Sequence, residues 1–113
     1  HRNRLNIPMS TELIHAVKAK DTLAVKRIIA NGADLQGVDE NGMTALLHAC
    51  ELQSFELLKL LVDAGADVNH PNALGYRPLD IAYWQGEFRM GCYTAESQRM
   101  VSYLSRHGGK SFS

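Results

Sequence analysis

Five histidines, two cysteines and twelve Asp or Glu residues are the groups in this chain able to bind a metal, attack an electrophile or move a proton. His15 and His48 stand 33 residues apart, and Cys50 lies two residues beyond His48. A zinc site needs about four ligands converging at ~2 Å. Neither a Cys-x-x-Cys nor a His-x-x-x-His pair is present. Residues at equivalent positions of stacked helical units sit roughly a helix diameter, ~10 Å, apart. The pattern therefore implies no metal site and reads both histidines as partly buried packing residues. Asp80, Cys92 and His107 supply acid, thiol and imidazole, but nothing in their spacing orders a nucleophile, a base and an orienting group. No glycine-rich phosphate loop and no nucleophile elbow occurs. No catalytic residue and no cofactor is assigned, and the expectation is that the chain is not an enzyme. One thiol stands apart: Cys92 follows Arg89 by three residues, and a nearby cation can lower a thiol pKa and suit it to redox sensing. Cys50, in an apolar run, reads as a small core residue.

The elements that must position these groups are bounded by the totals. A chain of 113 residues is long enough for one ordinary domain. It is 45% hydrophobic and 21% charged, an ordinary globular composition. The formal net charge is zero, whereas a nucleic-acid binder normally carries a basic excess. No apolar stretch approaches the ~20 residues needed to cross a bilayer, so no membrane partner is expected. No signal peptide is recognisable, although the chain opens at His1 rather than Met, which leaves a removed leader or preceding domains open. Two cysteines make no disulfide framework, and the expectation is a cytoplasmic monomer.

The organising feature is a period. Gly42 recurs at Gly75 and Gly32-Ala33-Asp34 recurs at Gly65-Ala66-Asp67, each 33 residues on. Helical spacing of Leu13, Ala16 and Val17 predicts a helix over 10–19, capped by Ser10 or Thr11. Asp21 caps a second helix with Val25, Ile28 and Ile29 inward and Lys26 and Arg27 outward, ended by Asn31-Gly32. The middle unit repeats the plan. Asp39 and Gly42 form a turn, Thr44 caps, and Leu46, Ala49 and Cys50 pack. A helix over 55–64 then carries Leu57, Leu58, Leu60 and Leu61. In the third unit Pro78 suits a first helical position, where its missing N–H costs nothing. There the period breaks. Gly65 recurs only at Gly108, 43 residues on, which places ten extra residues at about 87–96 and makes Thr94 the cap of a longer last helix.

A 33-residue unit carrying Gly42-x-Thr44, Leu46 and Ala49, a later Leu-Leu pair and Gly65-Ala66-Asp67-Val68-Asn69 resembles the ankyrin repeat. The middle unit departs from the family pattern at Ala45 and Leu47, and the third at Arg77 and Asp80, which weakens the polar tie between neighbouring repeats. The resemblance implies an all-α solenoid of three stacked helix–turn–helix repeats with hairpin-like tips and a ten-residue insertion in the last repeat. The domain runs over 9–109, with repeats at about 9–41, 42–74 and 75–109, between tails 1–8 and 110–113. Polar residues at the outer ends, Lys26 and Arg27 in the first unit and Ser105, Arg106 and His107 in the last, suggest capped terminal repeats and a complete, modestly stable stack.

Such stacks bind other proteins through their tips and inner helices. The resemblance thereby leaves Val38, Glu40, Asn41, Met43, Ala73, Leu74 and Tyr76 on the tips free of packing duty. On the inner helices it leaves Lys18, Ala19, Glu51, Leu52, Trp84 and Gln85. Apolar and aromatic residues among them are candidate contacts, since clustered exposed apolar groups mark interaction sites. The assigned protein-binding set is Met43, Glu51, Leu52, Leu74, Tyr76 and Trp84, joined by Phe88, Arg89 and Tyr93 of the insertion. Trp84, Phe88 and Tyr93 have a second reading as cover for the last repeat. The implied function is a small adaptor or inhibitor that binds a partner protein through its concave face and the insertion. The alternative is a regulatory or redox-responsive accessory domain of an enzyme, using Cys92.

Overall fold

Each helix needs acceptors for the N–H groups of its first turn, and the chain supplies them at repeating positions. A computed structural model, which describes residues 9–83 and 95–110, places helices at Met9–Lys18 (α1), Thr22–Ala30 (α2), Ala45–Glu51 (α3) and Phe55–Asp63 (α4). A fifth is described over residues 78–83 (α5), and the last spans Ala95–Arg106 (α6). No strand occurs among the described residues. Asp21 Oδ1 accepts from the Ala24 N–H at 3.1 Å, and Ser54 Oγ, one period on, accepts from the Leu57 N–H at 3.3 Å. Thr44 Oγ1 accepts from the Leu47 N–H at 3.2 Å. Arg77, one period after Thr44, has no side-chain acceptor. There Asp80, three residues into the helix, accepts from the Arg77 N–H at 3.0 Å, the reciprocal half of a capping box. Asp80 thus departs from the family pattern but is buried and caps its own helix.

Ser10 and Thr11 lie inside α1 rather than capping it. Ser10 packs against Gly37, where a Cβ would come within 2.5 Å of the Ser10 Cβ. His15, expected to be partly buried, is exposed on α1. The tail 1–8, the interval 84–94 with Thr94, and residues 111–113 lie outside the described residues.

The helices pair as α1 with α2 and α3 with α4, and the pairs stack through α1 on α3, α2 on α4 and α4 on α6. One core runs through them: Leu13 and Val17 of α1, Val25 of α2, Leu46 and Leu47 of α3, Leu57, Leu58 and Leu61 of α4, Ile81 and Ala82 of α5, and Met100 and Leu104 of α6. The inner helix α3 is buried at every position from Ala45 to Cys50. A lone helix pair leaves one side of such a helix in water, so this burial requires neighbours on both sides.

Side-chain amides lock the register between pairs. The Gln36 amide donates to the Gly65 carbonyl at 3.4 Å and accepts from the Asp67 N–H at 3.2 Å. One period later the Asn69 amide donates to the Gly108 carbonyl at 3.0 Å and accepts from the Lys110 N–H at 2.7 Å. On the other edge, Glu96 of α6 accepts from the Phe55 N–H at 2.9 Å, so the last helix helps to cap α4.

The turn between inner and outer helices uses a left-handed residue that is not glycine, Lys20 at φ 58° and Gln53 at φ 59°. A side chain in this conformation costs about 1–2 kcal/mol. Gln53 offsets the cost, because its amide donates to the Ala82 carbonyl at 3.3 Å and to Ser97 Oγ at 2.7 Å. Lys20 is exposed, and its side chain makes no such bonds among the described residues. Lys20→Gly is therefore expected to raise unfolding stability by about 0.5–1 kcal/mol, strain relief exceeding glycine's entropic cost. Gln53→Gly is expected to lower it by about 1 kcal/mol or more. Urea unfolding of the two variants checks the opposite signs.

Candidate functional site

The tips are built by one side chain each. Asp39 Oδ1 accepts from the N–H groups of Asn41 at 2.9 Å and Met43 at 3.0 Å, while its backbone N–H donates to the Met43 carbonyl at 3.0 Å. Asn72 repeats the arrangement, accepting from Leu74 at 2.9 Å and Tyr76 at 3.0 Å, its own N–H donating to the Tyr76 carbonyl at 2.8 Å. Gly42, at φ +74°, faces the next tip so closely that a Cβ would lie 3.3 Å from the Ala73 nitrogen. Glycine there satisfies both the left-handed turn and the tip-on-tip approach.

The first tip carries a second tie. His48 of α3, only 8% exposed, places Nε2 2.8 Å from Asp39 Oδ2 and Nδ1 3.6 Å from Glu51. The reading of His48 as mere packing is thus corrected: its ring binds the tip to the inner helix. Burial works to raise the Asp39 pKa, but the bonds from His48, Met43 and Asn41 and the charge of His48 outweigh it and hold the carboxyl below its ordinary value. Cys50 is fully buried, and desolvation, with a smaller contribution from the charge of Glu51, pushes its thiol pKa far up, which leaves it unreactive.

Between the first tip and α1 lies a hollow of about 270 Å³, lined by Thr11, Ile14, His15 and Lys18 on one side and Val38 to Asn41 on the other. It is one part of the face formed by tips and inner helices. Leu74 stands 75% exposed on the second tip and Val38 is 48% exposed on the first. Met43, assigned as a free contact, is instead 6% exposed and part of the core. Its N–H is fixed by Asp39, and the tip turns its side chain inward. Leu52 and Tyr76 are half-buried and pack against the core. Glu51 is half-buried beside His48. Trp84, Phe88, Arg89, Cys92 and Tyr93 lie outside the described residues. Tyr83, absent from the assigned set, is 43% exposed and borders a hollow of about 220 Å³ with Leu79, Asp80 and Val101. Its one signal in the sequence was its place beside Trp84. Among the described residues no group of three or more His, Cys, Asp or Glu is arranged to hold a metal, and no helix is long and apolar enough to cross a membrane.

Stacked helix pairs with hairpin tips and amide ties between neighbours define a helical repeat solenoid. The model of the family described as ankyrin repeats (3 copies) matches residues 13–111, and the chain belongs to that family. It is 36% identical over 81 residues, 72% of its length, to an inactive serine/threonine-protein kinase from Bos taurus, covering 5% of that protein. It is 39% identical over 69 residues, 61% of its length, to a putative ankyrin repeat protein of Acanthamoeba polyphaga mimivirus, covering 9% of it. A putative ankyrin repeat protein from Escherichia coli matches at 26% identity over 104 residues, 92% of this chain and 51% of the relative. The chain thus spans about half the length of one of these relatives and a small part of the other two.

Removing the Asp39 carboxylate strands two tip amides and the His48 ring. Asp39→Ala is therefore expected to cost about 1–3 kcal/mol of stability. Asp39→Asn should cost much less, since Asn72 builds the second tip in the same way. With its folded pKa depressed, Asp39 contributes its stabilisation above the unfolded value, about 3.9, and loses it as pH falls through the folded value. Thermal unfolding between neutral and acid pH should show a smaller acid-side loss for Asp39→Asn than for the parent chain.

Proposed function

We propose that this chain is a small adaptor or inhibitor that takes a partner protein on the face formed by its tips and inner helices. Ankyrin repeats are general protein–protein interaction modules and the family is typically non-enzymatic. The observation that carries the reading is a pair of exposed apolar side chains, Val38 and Leu74, on neighbouring tips whose backbones are pinned by Asp39 and Asn72. Rigid presentation lowers the entropy lost on binding, and exposed apolar groups supply contact area. His15, Lys18 and Glu40 give the adjoining hollow a polar rim. The half-buried Tyr76 joins Leu74 at the second tip, its backbone set by Asn72. On the sequence alone, Trp84 and the insertion residues Phe88, Arg89 and Tyr93 extend the contact. Met43 is withdrawn from the set.

The test is affinity capture with the parent chain and a Val38→Ser/Leu74→Ser variant, read by quantitative mass spectrometry. Both residues are exposed, so the variant should keep its helical circular dichroism and its unfolding midpoint. Proteins enriched by the parent should fall by about tenfold or more, since losing two buried apolar contacts costs a few kcal/mol. Equal enrichment by both proteins would remove the tips from consideration.

A further inference from the structure

The outer helices carry a second surface, which shares no residue with the tips or inner helices. Ala95, Gln98, Arg99, Ser102 and Arg106 fall on one face of α6, turned from its buried residues Ser97, Met100 and Leu104. With Phe55 of α4 they line a groove of about 390 Å³. The Arg99 guanidinium lies over the Phe55 ring at 4.9 Å, and that of Arg106 over the Tyr103 ring at 5.8 Å. Phe55 and Tyr103 meet edge to face at 5.5 Å.

The local carboxylates are engaged elsewhere. Glu96 accepts from the Phe55 N–H, and Asp63 takes both Lys59 and the Tyr103 hydroxyl. Glu56, next to Phe55, is exposed and has no ion pair with either arginine. Among the described residues neither Arg99 nor Arg106 has a carboxylate within 4.0 Å. Two fork-shaped donors are thus held over aromatic rings along one groove, with no carboxylate among the described residues against their planar edges. Guanidinium edges match carboxylates with paired hydrogen bonds. Seven residues on a helix separate the two by about 10 Å.

From this arrangement we infer that the α4–α6 groove docks an extended acidic segment of a partner protein, with two carboxylates three residues apart and small residues between them. A polyproline-type segment fits the spacing. It has three residues per turn and rises about 3.1 Å per residue, so residues i and i+3 share one side about 9 Å apart. The carboxylates meet Arg99 and Arg106, and the intervening residues cross Ser102, which lies between them on the same face of α6. This docking is independent of the tips, so a chain altered at Val38 and Leu74 retains it.

The probe is a fluorescein-labelled acetyl-Gly-Glu-Pro-Ala-Glu-Gly peptide, titrated with the full chain and followed by anisotropy. Saturable binding is expected, weakened by about tenfold or more in Arg99→Gln/Arg106→Gln. It should weaken less in Arg99→Lys/Arg106→Lys, which keeps the charge but not the paired bonds. Helical circular dichroism and the unfolding midpoint verify that both variants fold. The Gln-Pro-Ala-Gln peptide should not bind, and raising salt from about 0.05 to 0.3 M should weaken the acidic one. Equal binding of the Gln peptide, or undiminished binding by the Gln variant, would overturn the proposal. So would the absence of saturation by the acidic peptide, or a preference of the same arginines for phosphatidylserine vesicles or single-stranded DNA.

Discussion

Apolar contact between neighbouring helix pairs is the interaction on which everything else rests. The helix α3 is seven residues long, too short to persist alone in water. It has six consecutive buried residues, and no amphipathic surface helix could have that pattern. Such a helix exists only when α1 covers one side and the third repeat covers the other. The tips, the turns and the exposed residues they display take their positions from that burial.

Burial is non-directional, and it does not by itself set how far one pair slides over the next. The polar ties set that. Gln36 and Asn69 fasten each loop to the end of the next outer helix, and Glu96 and Gln53 fasten the opposite edge of the second pair to the third. The second and third pairs are thereby held in register on two edges, and the first is tied to the second through Gln36. This is the condition for the tips to form a fixed surface.

Most of the scaffold was legible because the period is a backbone property. The cap at Asp21 recurs as Ser54, the glycines at 32, 42, 65, 75 and 108 repeat for conformational reasons, and all five glycines have positive φ. The ties were less legible. Gln36 and Asn69 differ in residue type, and their bonds span about thirty to forty residues, so no local pattern announces them. The left-handed Lys20 and Gln53 carried no glycine to mark them. Met43 was misplaced because the first and last residues of a tip are equally close to the turn in sequence, yet the hydrogen bond to Asp39 sends its side chain into the core. The packing role that the sequence implies for His48 misses its tie, because its partner, Asp39, lies nine residues away across the tip. The site was therefore legible as a face, while the contacts within it depended on which side chains the tip geometry turns outward.

The two tips share one hydrogen-bond design but not one chemistry. Where the first reads Asp39-Glu40-Asn41, the second reads Asn72-Ala73-Leu74. The backbone is solved identically, by a carboxylate in one case and an amide in the other, so the residues in between are free to differ. The row of tips consequently has a head and a tail: an anionic end beside α1 and an uncharged, leucine-bearing end farther along. Two-fold pseudosymmetry is absent from that edge, and a long molecule laid across it would meet unlike ground in its two possible directions.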